Sequence, residues 1–90
     1  MKLKYEFSVR TIVGEHILIP MGEGALAFSG LLTTSEVGAF LAEQLKQEIS
    51  RDELLSLLLT EYEVDEATAA ADLDEFLHQL DQLSLLEHTK

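Results

Sequence analysis

The sequence contains no cysteine and no tryptophan, a single proline, five glycines, and six basic side chains against seventeen acidic ones in 90 residues. Without cysteine there are no disulfides, no thiolate zinc ligands and no cysteine nucleophile, and nothing calls for an oxidising compartment. So few glycines and prolines, with an apolar share of 47 %, are the composition of a chain that folds, not of a disordered tail. At this length the chain supports one core and no large enzyme. The longest apolar run, Ile17 to Met21, is too short to span a bilayer, and Met1 to Arg10 alternates charged with apolar residues and has no signal-peptide core. A cytoplasmic protein is expected.

The shortage of positive charge is uneven. Residues 1–30 are neutral overall, residues 31–60 carry net −3, and residues 61–90 carry net −8 of the total −11. Binding to duplex nucleic acid needs Lys and Arg to displace counterions, so this chain would repel phosphate, and anionic membranes are disfavoured on the same ground. Most of the acid is expected to solvate the outer faces of helices.

The first third has the two-residue period of strands. Tyr5, Phe7 and Val9 alternate with Glu6, Ser8 and Arg10, which predicts a half-buried strand over about 5–12. Val13-Gly14-Glu15 forms a turn, and the branched run His16 to Pro20 predicts a second strand, ended by the only proline. Gly22-Glu23-Gly24 forms another turn, and a third strand is expected over 25–29, with Leu26 and Phe28 on one face. Short turns favour an antiparallel order 1-2-3, with strands one and three as open edges.

From about residue 33 the period lengthens to 3.6. Thr33-Thr34-Ser35-Glu36 reads as a capping box that opens a helix over about 34–47, with Val37, Phe40, Leu41 and Leu45 inward and Gly38 weakening it by roughly 1 kcal/mol. Ser50-Arg51-Asp52-Glu53 is a second capping box, opening a helix over about 51–62. That helix is expected to be apolar over most of its circumference and to lie in the middle of the fold. Asp65 caps a third helix, about 66–83, with a stripe of Ala69, Leu73, Phe76, Leu77, Leu80 and Leu83.

Chemistry has no visible site. The three histidines, 16, 78 and 88, share no helical spacing suited to a metal, and the carboxylates lie on helix faces with no pocket to separate a general acid from a general base. No Gly-x-Ser-x-Gly elbow is present, and Gly22-Glu23-Gly24 lacks the third glycine of a dinucleotide loop. No metal, cofactor or catalytic role is expected. What stands out is the expected third strand, whose open edge carries none of the Lys or Pro that usually blunts such an edge. A partner peptide could add a strand there, unless a helix or a second copy of the chain covers it. Phe76 sits at the margin of the buried stripe beside Asp72 and Gln79, where it either finishes the core or walls a groove.

The strand and helix order, with Arg10 and Gly14 at the first hairpin, Leu26 and Phe28, Thr33 to Glu36, Phe40-Leu41, Glu53-Leu54-Leu55, Tyr62 to Asp65 and Phe76-Leu77-x-x-Leu80-x-x-Leu83, resembles the PqqD-like family. These are leader-peptide recognition domains, or RiPP recognition elements, of pathways that modify ribosomally made peptides. The chain departs from the family's pattern at Phe40, where Trp is frequent, at Leu32-Thr33, where Asn often precedes the helix, and at Ser84, where Gly is common. The resemblance implies an α+β, winged-helix-like domain over 1–90, a three-stranded antiparallel sheet followed by three helices. It also implies a peptide chaperone that is no enzyme, binds the leader of a precursor peptide as an added strand, and presents it to a radical S-adenosylmethionine (radical SAM) or other modifying enzyme.

Together the two lines of reasoning place the peptide-binding residues at Ala25, Leu26, Ala27, Phe28 and Ser29 on strand three and at Asp72, Leu73, Phe76, Gln79 and Leu80 on helix three. The flank of Ala70, Asp74 and Asp81 is the alternative wall. Were Asp72, Glu75 or Asp81 to border the groove, the leader would carry Lys or Arg there and affinity would fall with salt. A homodimer through the strand-three edge would compete with the peptide. Two rival readings remain: a winged-helix DNA-binding regulator, disfavoured because helix three has no Lys or Arg between Asp65 and Leu83, and an acidic acyl carrier, disfavoured because Ser56 follows Leu55 instead of opening a helix after Asp.

Overall fold

A computed structural model of the chain describes residues 1–27 and 32–88. The elements are β1 (Lys2–Leu3), β2 (Phe7–Ile12), β3 (Glu15–Pro20), α1 (Glu23–Ala27), β4 (Leu32–Thr34), α2 (Glu36–Gln44), α3 (Arg51–Glu61), α4 (Glu66–Gln82) and β5 (Leu86–Glu87). The architecture is α+β, a three-stranded antiparallel sheet in the order β2-β3-β4 followed by helices, compatible with a winged-helix-like fold.

The β2–β3 hairpin runs in register from Phe7 opposite Pro20 to Ile12 opposite Glu15. Its two central residues, Val13 and Gly14, have φ of 50° and 77°, the left-handed pair that lets a two-residue turn follow the strand twist. Phe7 and Leu18 face the core, whereas Ile12 and Val13 at the tip are exposed.

The third strand is not where the alternation of Ala25 to Ser29 suggested. Glu23–Ala27 forms a single helical turn, α1, with Ala25 N–H donating to the Gly22 carbonyl at 3.1 Å. Alanine and leucine favour helix over strand, and Gly22 (φ 58°) supplies the left-handed entry. The sheet is completed instead by β4, with Leu32 opposite Leu18 and Thr34 opposite His16. Phe28 and Ser29 lie outside the described residues.

Thr34 therefore belongs to the sheet, and the helix after it is capped by Ser35, whose Oγ accepts from Gly38 N–H at 3.1 Å. The capping box at Ser50 and Glu53 forms as the spacing predicts, and Asp65 caps α4 through Thr68 N–H. Helix α3 is less enclosed than its leucines suggested: only Leu54 and Leu58 are buried, and Leu57 reaches solvent, because α3 packs against α2 and α4 on one side alone. Ser56 lies in the interior of α3.

The core joins Leu18 of the sheet to Leu41, Ala42 and Leu45 of α2, Leu54 and Leu58 of α3, and Ala69, Leu73, Phe76 and Leu80 of α4. Phe40 and Tyr62 meet edge to face at 5.6 Å and tie α2 to the end of α3. A further two-stranded pairing, not evident in the sequence, sets Lys2 opposite Glu87 and Leu3 opposite Leu86. It is reached through a Schellman turn after α4, in which Leu85 N–H donates to the Leu80 carbonyl at 2.9 Å and Ser84 adopts φ 59°, the left-handed position usually filled by glycine.

Candidate functional site: a groove between a sheet edge and the last helix

The order β2-β3-β4 leaves one edge of β4 without a neighbouring strand among the described residues. In an antiparallel ladder every second residue turns its N–H and C=O away from its partner, so along that edge β4 turns backbone groups outward with no strand among the described residues to take them up. Beside it lies a groove of about 500 Å³ lined by Thr33, Thr34, Ser35, Val37 and Gly38 on one wall and Asp72, Glu75, Phe76 and Gln79 of α4 on the other.

The floor depends on a missing side chain. A Cβ at Gly38 would lie 1.8 Å from Thr34 Oγ1 and 3.1 Å from Phe76 Cε1. The absence of that methyl lets the end of β4 and the ring of Phe76 both close on the first turn of α2. Gly38 costs helix propensity, as its sequence position indicated, and in return permits the groove. Phe76 is 7 % exposed, so it closes the core with most of its surface and shows the groove only a margin. Asp72, Glu75 and Gln79 are exposed on the same side of α4.

Of the residues expected to contact a peptide, Asp72, Phe76 and Gln79 line this groove. Leu73 and Leu80 are fully buried and hold α4 to the core from behind. Ala25 and Leu26 sit on α1, which packs against β3, and neither lines the groove. Among the described residues the wall opposite α4 is formed by Thr33, Thr34, Ser35, Val37 and Gly38, and Phe28 and Ser29 lie outside the described residues. The sequence signal for it was the β-branched Thr33-Thr34 pair before a serine cap, which is masked because Thr33 and Glu36 also have capping-box spacing.

The alternative flank of α4 is occupied. Arg51 donates to Asp74 through Nε at 2.7 Å and through a terminal nitrogen at 2.9 Å, which pulls the Asp74 carboxyl below the usual carboxylate range. Asp81 lies 3.0 Å from His88. Tyr62 is pushed above the ordinary tyrosine value, first by burial and then by Glu36 and Glu61. Among the described residues no three His, Asp or Glu side chains converge as a metal site, and no helix is long and apolar enough to cross a membrane.

Residues 15–86 match the family model described as coenzyme PQQ synthesis protein D (PqqD). Among solved structures, the chain is similar to TbiB1 in complex with the TbiA(beta) leader peptide, with a TM-score of 0.71 and 26 % identity over 100 % of this chain and 99 % of that one. It is also similar in fold to lasso peptide synthetase B1 complexed with its leader peptide, with a TM-score of 0.64 and 20 % identity over 93 % of each chain. No curated protein matches.

Proposed function

This chain belongs to the PqqD family, and from that premise we propose that it captures the leader of a ribosomally synthesised precursor peptide as an added strand on the outer edge of β4. Having bound the leader, it presents the precursor to a modifying enzyme, of which a radical SAM enzyme is the favoured class. It performs no chemistry itself, and the reaction is left to that enzyme.

The observation that carries this reading is that β4, which has no second partner strand among the described residues, lines one groove through Thr33 and Thr34 together with Asp72, Phe76 and Gln79 of α4. Main-chain hydrogen bonds to β4 supply affinity that depends little on sequence, and alternate side chains of the added strand meet Val37, Gly38 and Phe76, which supply selection. TbiB1, 26 % identical and alike over the whole chain, is bound to a leader peptide, which supports a leader peptide as the partner. A disordered leader loses roughly 2–5 kcal/mol on ordering, so binding is expected to be about micromolar, near −8 kcal/mol.

The test is fluorescence anisotropy with the leader segment of a short peptide encoded beside the gene, followed by turnover of the full precursor by the enzyme encoded there. Saturable binding, and modification that requires this protein, support the proposal. Modification at the same rate without it refutes presentation. Sizing with and without peptide separates leader capture from a homodimer that uses the same edge.

A further inference from the structure

The sheet has a second open edge. In the order β2-β3-β4, β2 has no neighbouring strand on its outer side among the described residues, and at six residues it is longer than the three-residue β4. The ladder with β3 fixes which residues of β2 face outward. Met21 N–H donates to the Glu6 carbonyl at 2.9 Å, so Glu6–Met21, Ser8–Ile19, Arg10–Ile17 and Ile12–Glu15 are the hydrogen-bonded pairs. Phe7, Val9 and Thr11 therefore turn their N–H and C=O groups away from β3. Neither proline nor lysine lies within β2 to blunt this edge. Glu6 and Arg10 share the sheet face opposite the buried Phe7, both are exposed, and among the described residues neither takes part in an ion pair. They stand four residues apart, about 13 Å along the strand.

That spacing is self-complementary in an antiparallel pair. Outward residues bond only to outward residues, so the registers open to β2 against a second β2 differ by steps of two. With Ser8 opposite Ser8, Phe7 of each copy exchanges main-chain hydrogen bonds with Val9 of the other. Arg10 of each copy then stands directly opposite Glu6 of the other, in a non-hydrogen-bonded pair, where facing side chains come closest. The register one step nearer the turn sets Glu6 against the apolar Ile12, and the register one step farther from it sets Arg10 against Lys4, a like charge. We propose that two copies of this chain associate about a two-fold axis through the outer edges of β2 in the Ser8-centred register, closed on each side by an Arg10–Glu6 ion pair. The three strands of each copy join in one continuous sheet with β4 at both ends, so the two grooves stay open and one assembly holds two leaders. The pairing stands without the leader-binding reading, and only the use of the two grooves rests on it.

The experiment is sedimentation equilibrium of the full chain over a range of concentrations, for the unsubstituted protein, R10E, E6R and an equimolar mixture of the two variants. At these two positions R10E carries two negative charges and E6R two positive ones, so each variant repels itself and complements the other. The unsubstituted protein is expected to approach twice the monomer mass as concentration rises. Each variant should self-associate about tenfold more weakly or worse, and the mixture should return to within about threefold of the unsubstituted protein. Amide exchange of the unsubstituted protein should slow with concentration at Phe7 and Val9 and stay constant at Ser8, which is already bonded to β3. A protein that is monomeric at every concentration, or a dimer that both variants form as readily, overturns the proposal. So does concentration-dependent protection at Thr33 instead, the mark of pairing through β4. Both substituted residues are exposed. With the unfolding midpoints of both variants unchanged, a mixture that does not recover overturns the Arg10–Glu6 register.

Discussion

Replacing Gly38 by alanine sets two effects of similar size against each other. Within a helix alanine is better than glycine by about 1 kcal/mol. The added methyl, however, lands 1.8 Å from Thr34 Oγ1, 3.1 Å from Thr34 Cβ and 3.1 Å from Phe76 Cε1. The first of these contacts cannot stand, so the Thr34 side chain, or β4 with it, must move, at an overpacking cost of about 1–3 kcal/mol, whereas the two contacts at 3.1 Å ask for shifts of only a few tenths of an ångström. The expected balance is a net destabilisation of about 1 kcal/mol, with loss of leader affinity because the displaced groups form the groove. In a Thr34→Ala background the nearest obstructing atom is gone and the remaining contacts ask for shifts of a few tenths of an ångström. The helix preference should then prevail, and Gly38→Ala becomes neutral or stabilising. Urea unfolding of the four proteins in this cycle, with unchanged m values, gives the coupling directly. An equal effect of Gly38→Ala in both backgrounds would refute the claim that Gly38 exists to let β4 and α4 close on α2.

Four further outcomes are expected. Val13→Asn should stabilise the hairpin by about 1 kcal/mol in the same unfolding assay, since a β-branched residue at φ 50° is unfavourable and asparagine tolerates that turn position. Leu54→Ala should cost about 2–5 kcal/mol, while Leu57→Ala, at the exposed side of α3, should stay within about 1 kcal/mol. Ser50→Ala should cost about 1 kcal/mol by opening the capping box with Glu53. In acid, Asp65 and Asp74 matter most: hydrogen bonds from Thr68 and Arg51, respectively, hold their folded carboxyls below the usual range. Their contribution is complete above the ordinary carboxylate value of about 4 and is lost as pH falls through the lowered folded values. The urea midpoint should drop below about pH 4, less steeply in Arg51→Gln.

The hairpin and the three long helices were legible because each carries a sustained period, two residues or 3.6, closed by a turn or a cap. Family membership was legible in the same positions. The third strand was misplaced by competition between short signals. Ala25 to Ser29 alternates small and large residues over a stretch too short to separate a strand from one helical turn, whereas β4 spans three residues and shares its threonines with an apparent cap. Stepping 100° per residue set Asp72, Phe76 and Gln79 together and away from Asp74 and Asp81 but left both flanks as candidate walls, and the groove lies against the first of them. The opposite wall needed the position of β4, and so did the reason for Gly38. The β1–β5 pairing joins two-residue segments from opposite ends of the chain, and no local pattern announces such a contact.

Amide hydrogen exchange across β4, with and without the leader peptide encoded beside the gene, tests strand addition most directly. A docked strand takes its hydrogen bonds from the outward-facing residues only, so the expected result is slowed exchange at alternate amides among Leu32, Thr33 and Thr34, with side-chain shifts at Phe76 and Gln79. Saturable binding without that alternating protection, or protection confined to the β2 edge, would contradict it.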